Sequence, residues 1–175
     1  MDQRPAGIRI LGLDPGSRHT GFGVIDREGS RLLFVGAGTI SPPGRERLPV
    51  RLQAIHQAVT SQIESFCPAQ VAVEDLFHAE NVQSVLKLAH VRGVLMQAAA
   101  AAGLTVAAYP PATVKKMVVG SGRAAKTQVA WMIKRLLPGV PADLSADATD
   151  ALAVAVCHAA HLAQPGRRAV AGSKR

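Results

Sequence analysis

Apolar positions along this chain fall into strand-like and helix-like stretches. Ile8-Arg9-Ile10-Leu11-Gly12-Leu13-Asp14 is a short apolar run that ends abruptly in a carboxylate, the pattern of a buried β-strand with its acid at the exit. Pro15-Gly16 turns the chain, and a second apolar run opens with Gly21 and Gly23. A β-hairpin is expected, with glycines that let a ligand or another backbone approach closely. Strands follow over 21–26 and 32–40, joined by a turn at Glu28-Gly29-Ser30, until Ser41-Pro42-Pro43-Gly44 breaks the sheet. A helix over 49–66 carries Leu52, Ile55, Val59 and Ile63 on one stripe, and Pro68 ends it. A strand over 70–74 ends in Glu74-Asp75, and only one of these acids can face the same way as Asp14.

The second half reads as helix and strand units. A helix over 82–102 stops at Gly103, a strand covers 104–108, and Pro110-Pro111 leads into a helix over 112–119. Helices over 124–137 and 147–162 are separated by a loop at 138–144. Ser145 is a fitting N-cap, which places Asp147 and Asp150 on one face of the first turns. Three antiparallel strands followed by alternating helices and strands imply an α/β fold, a mixed sheet flanked by helices. The helix over 82–102 is apolar around nearly its whole circumference, from Val82 and Leu86 to Leu95 and Met96. It therefore calls for burial on a second side.

Composition narrows the function. The chain has 175 residues, 20 Lys and Arg against 12 Asp and Glu, and a net charge of +8, enough length for one domain, at 1–163. Residues 164–175 form a basic, apolar-poor tail, read as mobile. A basic surface around clustered acids suits a protein that grips a polyanion at its rim and binds metal at its centre. Asp14, one acid of the Glu74-Asp75 pair, and Asp147 with Asp150 supply an all-oxygen ligand set, which favours Mg²⁺ or Mn²⁺ over zinc. Each acid also has an ordinary reading: Asp14 as a turn residue, Asp147 and Asp150 as helix-dipole partners. The histidines lack metal-site spacing, and His158 and His161 read as structural. Cys67 and Cys157 form no paired motif, which points to reduced thiols and a cytoplasmic setting. No signal peptide or membrane span is expected.

Leu11-Gly12-Leu13-Asp14-Pro15-Gly16-Ser17-Arg18 with Thr20-Gly21, then Val73-Glu74 with Phe77 and Asn81, resembles the RuvC-type Holliday junction resolvases. So do Leu86-Lys87-Leu88, Arg92-Gly93-Val94, Val114-Lys115-Lys116, Val118-Val119-Gly120, Lys126-Thr127-Gln128-Val129 and Asp147-Ala148-Thr149-Asp150-Ala151-Leu152-Ala153. The resemblance implies an RNase H-like fold of five strands, with the first and fourth side by side. It implies Asp14, Glu74, Asp147 and Asp150 as metal ligands and catalytic residues, with Lys115 and Lys126 beside the scissile phosphate. Two Mg²⁺ ions per site are implied, with Mn²⁺ as substitute, and paired symmetric nicking of four-way DNA junctions in recombination and repair. Lys116 and Arg123 are read as further DNA contacts, and Phe77 as a ring that stacks on an unpaired base. A homodimer and a branch-migration motor of the RuvA and RuvB type are the implied partners.

Rival readings come from other classes. Gly120-Ser121-Gly122-Arg123-Ala124-Ala125-Lys126-Thr127 approaches a P-loop, but Ala125 stands where glycine is needed. Asp14-x-Gly16 also resembles the first phosphate loop of actin-like ATPases, which need more chain than is present. A non-catalytic junction-binding protein would lose affinity through its four acids. The closest alternative is another RNase H-like nuclease acting on RNA or other branched nucleic acid.

Overall fold

A computed structural model describes residues 7–76 and 82–163. Its strands are β1 (Ile8–Asp14), β2 (Thr20–Glu28), β3 (Arg31–Ile40), β4 (Gln70–Glu74) and β5 (Thr105–Tyr109). Its helices are α1 (Leu48–Phe66), α2 (Val82–Ala101), α3 (Pro111–Val119), α4 (Lys126–Leu136) and α5 (Ala146–Leu162). The sheet order is β3-β2-β1-β4-β5. β1, β2 and β3 pair antiparallel, while β4 lies parallel to both β1 and β5. The expected mixed five-stranded sheet is therefore present, with the first and fourth strands adjacent.

Strand alternation divides the core. Ile10, Ile25, Ala72, Ala107 and Tyr109 point into one cluster with α3, α4 and α5. Leu11, Leu13, Val24, Val71 and Val73 point into the other, under α1 and α2. Proline at the start of α1 and α3 suits a position whose N–H has no helical partner. α4 begins two residues later than the sequence pattern suggests, because Gln128 Oε1 reaches back to accept the Ala125 N–H at 2.8 Å. β5 lies one residue later than expected, because Gly103, at φ 73°, closes α2 and the Leu104 N–H still bonds Ala99 O at 3.0 Å. The first half of α2 is left uncovered within the chain: Val82 is 72% and Leu86 53% exposed.

The backbone of α5 lies almost directly on β1 and β2, because glycines face it there. A Cβ on Gly12 would overlap the Ala151 carbonyl and stand 2.7 Å from Ala155 N, and one on Gly23 would stand 2.7 Å from Leu152 N. One on Gly21 would overlap the Asp147 carbonyl. Gly12→Ala should therefore push α5 off the sheet, costing about 2 kcal/mol and lowering Tm by about 4–8 °C. Gly44→Ala, in open space, is the control for the same thermal melt and should leave Tm unchanged.

Candidate active site

β1 and β4 run side by side with Leu13 opposite Val73, so their final residues, Asp14 and Glu74, end level. Both lie on the α5 side of the sheet, two residues beyond Gly12 and Ala72. Their carboxyl groups lie close enough to perturb each other's ionisation. Asp75 turns the other way: its N–H donates to Tyr109 O at 2.8 Å, and its Oδ1 meets Arg92 Nη2 of α2 at 3.2 Å. Of the two adjacent acids, the structure assigns Glu74 to the cluster.

The N-terminal turns of α5 carry Asp147 and Asp150, of which Asp150 acts on Asp14 and Glu74. Ser145 caps the helix, with Oγ accepting the Ala148 N–H at 3.2 Å and bonded to Thr39 Oγ1 of β3 at 2.7 Å. The helix dipole favours Asp147 and Asp150 in this position. Asp147 lies over Gly21, the residue opposite Asp14 in the β1–β2 pair. Asp150, one turn on, bonds Lys126 Nζ through Oδ2 at 2.7 Å. Lys126 is the first residue of α4, where the dipole disfavours a cation. The Asp150 carboxylate offsets that penalty and raises the Lys126 pKa against the opposing effect of burial.

The acids crowd one another. Burial, then the charges of Glu74 and Asp150, push Asp14 from 3.8 up to about 8, with Lys126 opposing. Glu74 is also raised, by burial first and then by Asp150, while its contact with Asp14 and the charges of Lys126 and Lys115 pull it down. Asp14 and Glu74 thus hold one proton between them near neutral pH, as a coupled dyad. Lys115, half-buried on α3, is placed with Lys126 among the basic charges that act on these acids. Lys116 and Arg123 are exposed on the surface beyond them. Phe77 falls outside the described residues.

The donor set decides what could bind. It is all oxygen, and it carries more negative charge than Lys126 neutralises. Among the described residues, no three His, Cys, Asp or Glu side chains converge tightly enough to hold an ion by themselves. A hard divalent cation, which binds through one or two carboxylates and keeps several waters, fits this arrangement. A tetrahedral site built from Cys and His does not. His158 is 4% exposed and hydrogen-bonded on both ring nitrogens, so it is structural, as expected from its spacing.

Three side chains carry no clear signal in the sequence. Arg92 pairs with Asp75; the sequence marks it only as part of the Arg92-Gly93-Val94 resemblance, with nothing to indicate this partner. Gln70 and Tyr109 both bond His158, and their only mark is a polar atom at a core-facing strand position. The segment that approaches a P-loop follows helix α3 rather than a strand, so no strand-loop-helix phosphate cradle exists there. Among the described residues no helix is long and apolar enough to cross a membrane.

Comparison with known proteins agrees with this geometry. Residues 10–158 match the family model for crossover junction endodeoxyribonuclease RuvC. A curated protein of that name from Rhodopseudomonas palustris (strain BisA53) is 48% identical over 166 residues, covering 95% of each chain. The structure of T. thermophilus RuvC in complex with a Holliday junction substrate superposes with a TM-score of 0.83 at 32% identity. That match covers 89% of this chain and 95% of the relative. The yeast mitochondrial Holliday junction resolvase Ydc2, at 14% identity, 87% of this chain and 78% of its own, shares the fold with a TM-score of 0.64. The fold is RNase H-like, and this chain belongs to the crossover junction endodeoxyribonuclease RuvC family.

Proposed function

We propose that this chain resolves four-way (Holliday) DNA junctions by metal-dependent hydrolysis, nicking two strands of like polarity symmetrically during recombination and repair. The observation that carries this reading is the cluster of Asp14, Glu74 and Asp150 with Lys126, at paired strand ends of a RuvC-family fold. The catalytic unit is residues 1–163, and the basic residues of 164–175 add sequence-independent attraction to DNA. The family carries divalent-metal dependence, and the ion proposed here is Mg²⁺, two per site, with Mn²⁺ able to substitute. Asp14, Glu74, Asp147 and Asp150 are the proposed ligands. Bound there, the ions would activate water and neutralise charge on the departing oxygen.

The protein's own groups do the rest. Asp14 gives up its shared proton when the site loads. Lys126 and Lys115 place fixed positive charge where the phosphate gains negative charge in the transition state. Lys116 and Arg123 bind flanking phosphates, and Phe77 stacks on an unpaired base at the crossover. Residues 81–142 support this orientation, since they contain eight Lys and Arg and no Asp or Glu.

A two-fold substrate calls for a two-fold enzyme. The exposed Leu86 of α2 lines a groove of about 500 Å³ with Leu52, Ala89, Gly93 and Val94, and the exposed Val82 lies one turn earlier on the same helix. A second copy seated there would cover the apolar circumference of α2 and set two active sites at a fixed separation. A branch-migration motor of the RuvA and RuvB type is the further partner. The unpaired Cys67 and Cys157 suit a reducing cytoplasm.

Asp14→Asn should keep junction affinity within a few-fold and lower cleavage by several orders of magnitude in a four-way junction nicking assay. Lys126→Ala and Lys115→Ala should each reduce kcat far more than affinity. Retained cleavage in Asp14→Asn would overturn the site assignment.

Metal and pH are linked. Because Asp14 is raised from 3.8 to about 8, the folded metal-free protein binds a proton that the unfolded chain has released. Stability from this group is therefore lost as pH rises across that window. His158, held down at about 4 by burial and His161, acts in the opposite direction and only below about pH 6.5. Between pH 6.5 and 8, metal-free Tm should fall more steeply in the parent than in Asp14→Asn. Added Mg²⁺ should raise Tm most at the upper end, where no proton competes. Leu86→Glu should give a folded monomer by sedimentation that binds metal but no longer makes paired nicks.

A further inference from the structure

α5 rests on the sheet through its smallest contacts. Gly12 meets Ala151 and Ala155, and Gly21 meets the Asp147 carbonyl. These contacts fix how close the helix lies, and the buried Leu152 side chain packs beside Gly23. The site is sensitive to a slide along the helix axis, because a shift of one residue moves Asp150 by about 1.5 Å. A directional contact added to this packing would sharpen the register.

Among the described residues, two polar fastenings cross this interface. One is the exposed Ser145 cap on Thr39. The other is buried near the far end of α5, where His158 Nδ1 lies 2.7 Å from Tyr109 Oη and Nε2 lies 2.6 Å from Gln70 Oε1. The amide oxygen of Gln70 only accepts, so His158 Nε2 carries the hydrogen and Tyr109 Oη donates to Nδ1. Both ring nitrogens are thereby engaged, one by each strand, which is what makes the link directional. Burial and His161 hold the ring neutral.

The strand partners belong to the site. Gln70 and Glu74 are the first and last residues of β4. Tyr109 lies opposite Glu74 in the β4–β5 register, and its carbonyl accepts the Asp75 N–H. His158 follows Asp150 by eight residues on the same helix, about 12 Å along its axis. One side-chain chain thus ties the strands that carry and flank Glu74 to the helix that carries Asp150.

We propose that Tyr109, His158 and Gln70 are positioning residues that lock the axial register of α5 against β4 and β5, holding Asp150 at its working distance from Asp14 and Glu74. This rests on the junction-resolving reading of the site. The Tyr109 ring also packs on His161, with centroids 4.7 Å apart, so Tyr109→Phe removes the hydroxyl while leaving the ring in place.

The test compares Tyr109→Phe, His158→Asn and His158→Leu with the parent, each assayed well below its own Tm. Tyr109→Phe should lower kcat on a four-way junction about tenfold, since small misplacements of reacting groups are costly. Its junction affinity should stay within twofold, and the Mg²⁺-induced rise in Tm should shrink. His158→Asn keeps an acceptor for Tyr109 and should recover most of the rate lost in His158→Leu. Lower Tm with unchanged kcat and unchanged Mg²⁺ response in all three would reduce the network to a stability element and overturn the proposal. Should Tyr109→Phe fail to fold, Gln70→Ala is read by the same criteria. A parent that leaves junctions uncut refutes the functional reading instead, which keeps the two failures apart.

Discussion

Three carboxylates within one another's field, at a place where water is partly excluded, are the constraint on which this molecule is arranged. Asp14 and Glu74 share a proton, and Asp150 adds its charge to both. Buried charge of one sign is tolerated only when something neutralises it. The surrounding structure does so in part: Lys126 bonds Asp150, and Lys115 acts on Glu74. What it leaves unneutralised is the affinity for a hard cation.

Reaching that arrangement requires the fold in detail. The parallel pairing of β1 with β4 brings two strand ends level although their acids are 60 residues apart. Glycines at 12, 21 and 23 let the α5 backbone come down onto the sheet, and the Ser145 cap starts that helix where Asp150, one turn in, acts on Asp14. Directional bonds deeper in the interface prevent the helix from sliding. α2 contributes differently. Its buried half anchors the opposite layer, while its exposed half carries the apolar surface that suits a second copy.

Much of this arrangement is legible in the amino-acid sequence. Asp14 and Glu74 stand out because each ends an apolar run, where period-two alternation predicts a face. Asp147 and Asp150 stand out because Ser145 marks a helix start. Alternation alone leaves Glu74 and Asp75 open, since it says that one must face away without saying which, and only the family resemblance names Glu74. The choice is settled by the arginine of α2, a contact between separate elements. The Lys126–Asp150 pair and the Tyr109–His158–Gln70 network are hidden for the same reason. They join residues 24, 49 and 88 positions apart, and no local pattern encodes such contacts. The shifted starts of α4 and β5 have local causes: a glutamine reaching back and a left-handed glycine each move a boundary.

The central claim is that the acidic cluster holds a proton in the place a divalent cation takes. Titration of the Asp14 side-chain carboxyl carbon by ¹³C NMR, in metal-free protein and again with Mg²⁺, tests it most directly. The account predicts an inflection near pH 8 without metal, a further rise in Lys126→Ala, and loss of that inflection when Mg²⁺ is bound. An Asp14 carboxyl that titrates near the ordinary aspartate value of about 4 in the metal-free protein, and is indifferent to Mg²⁺, would contradict it.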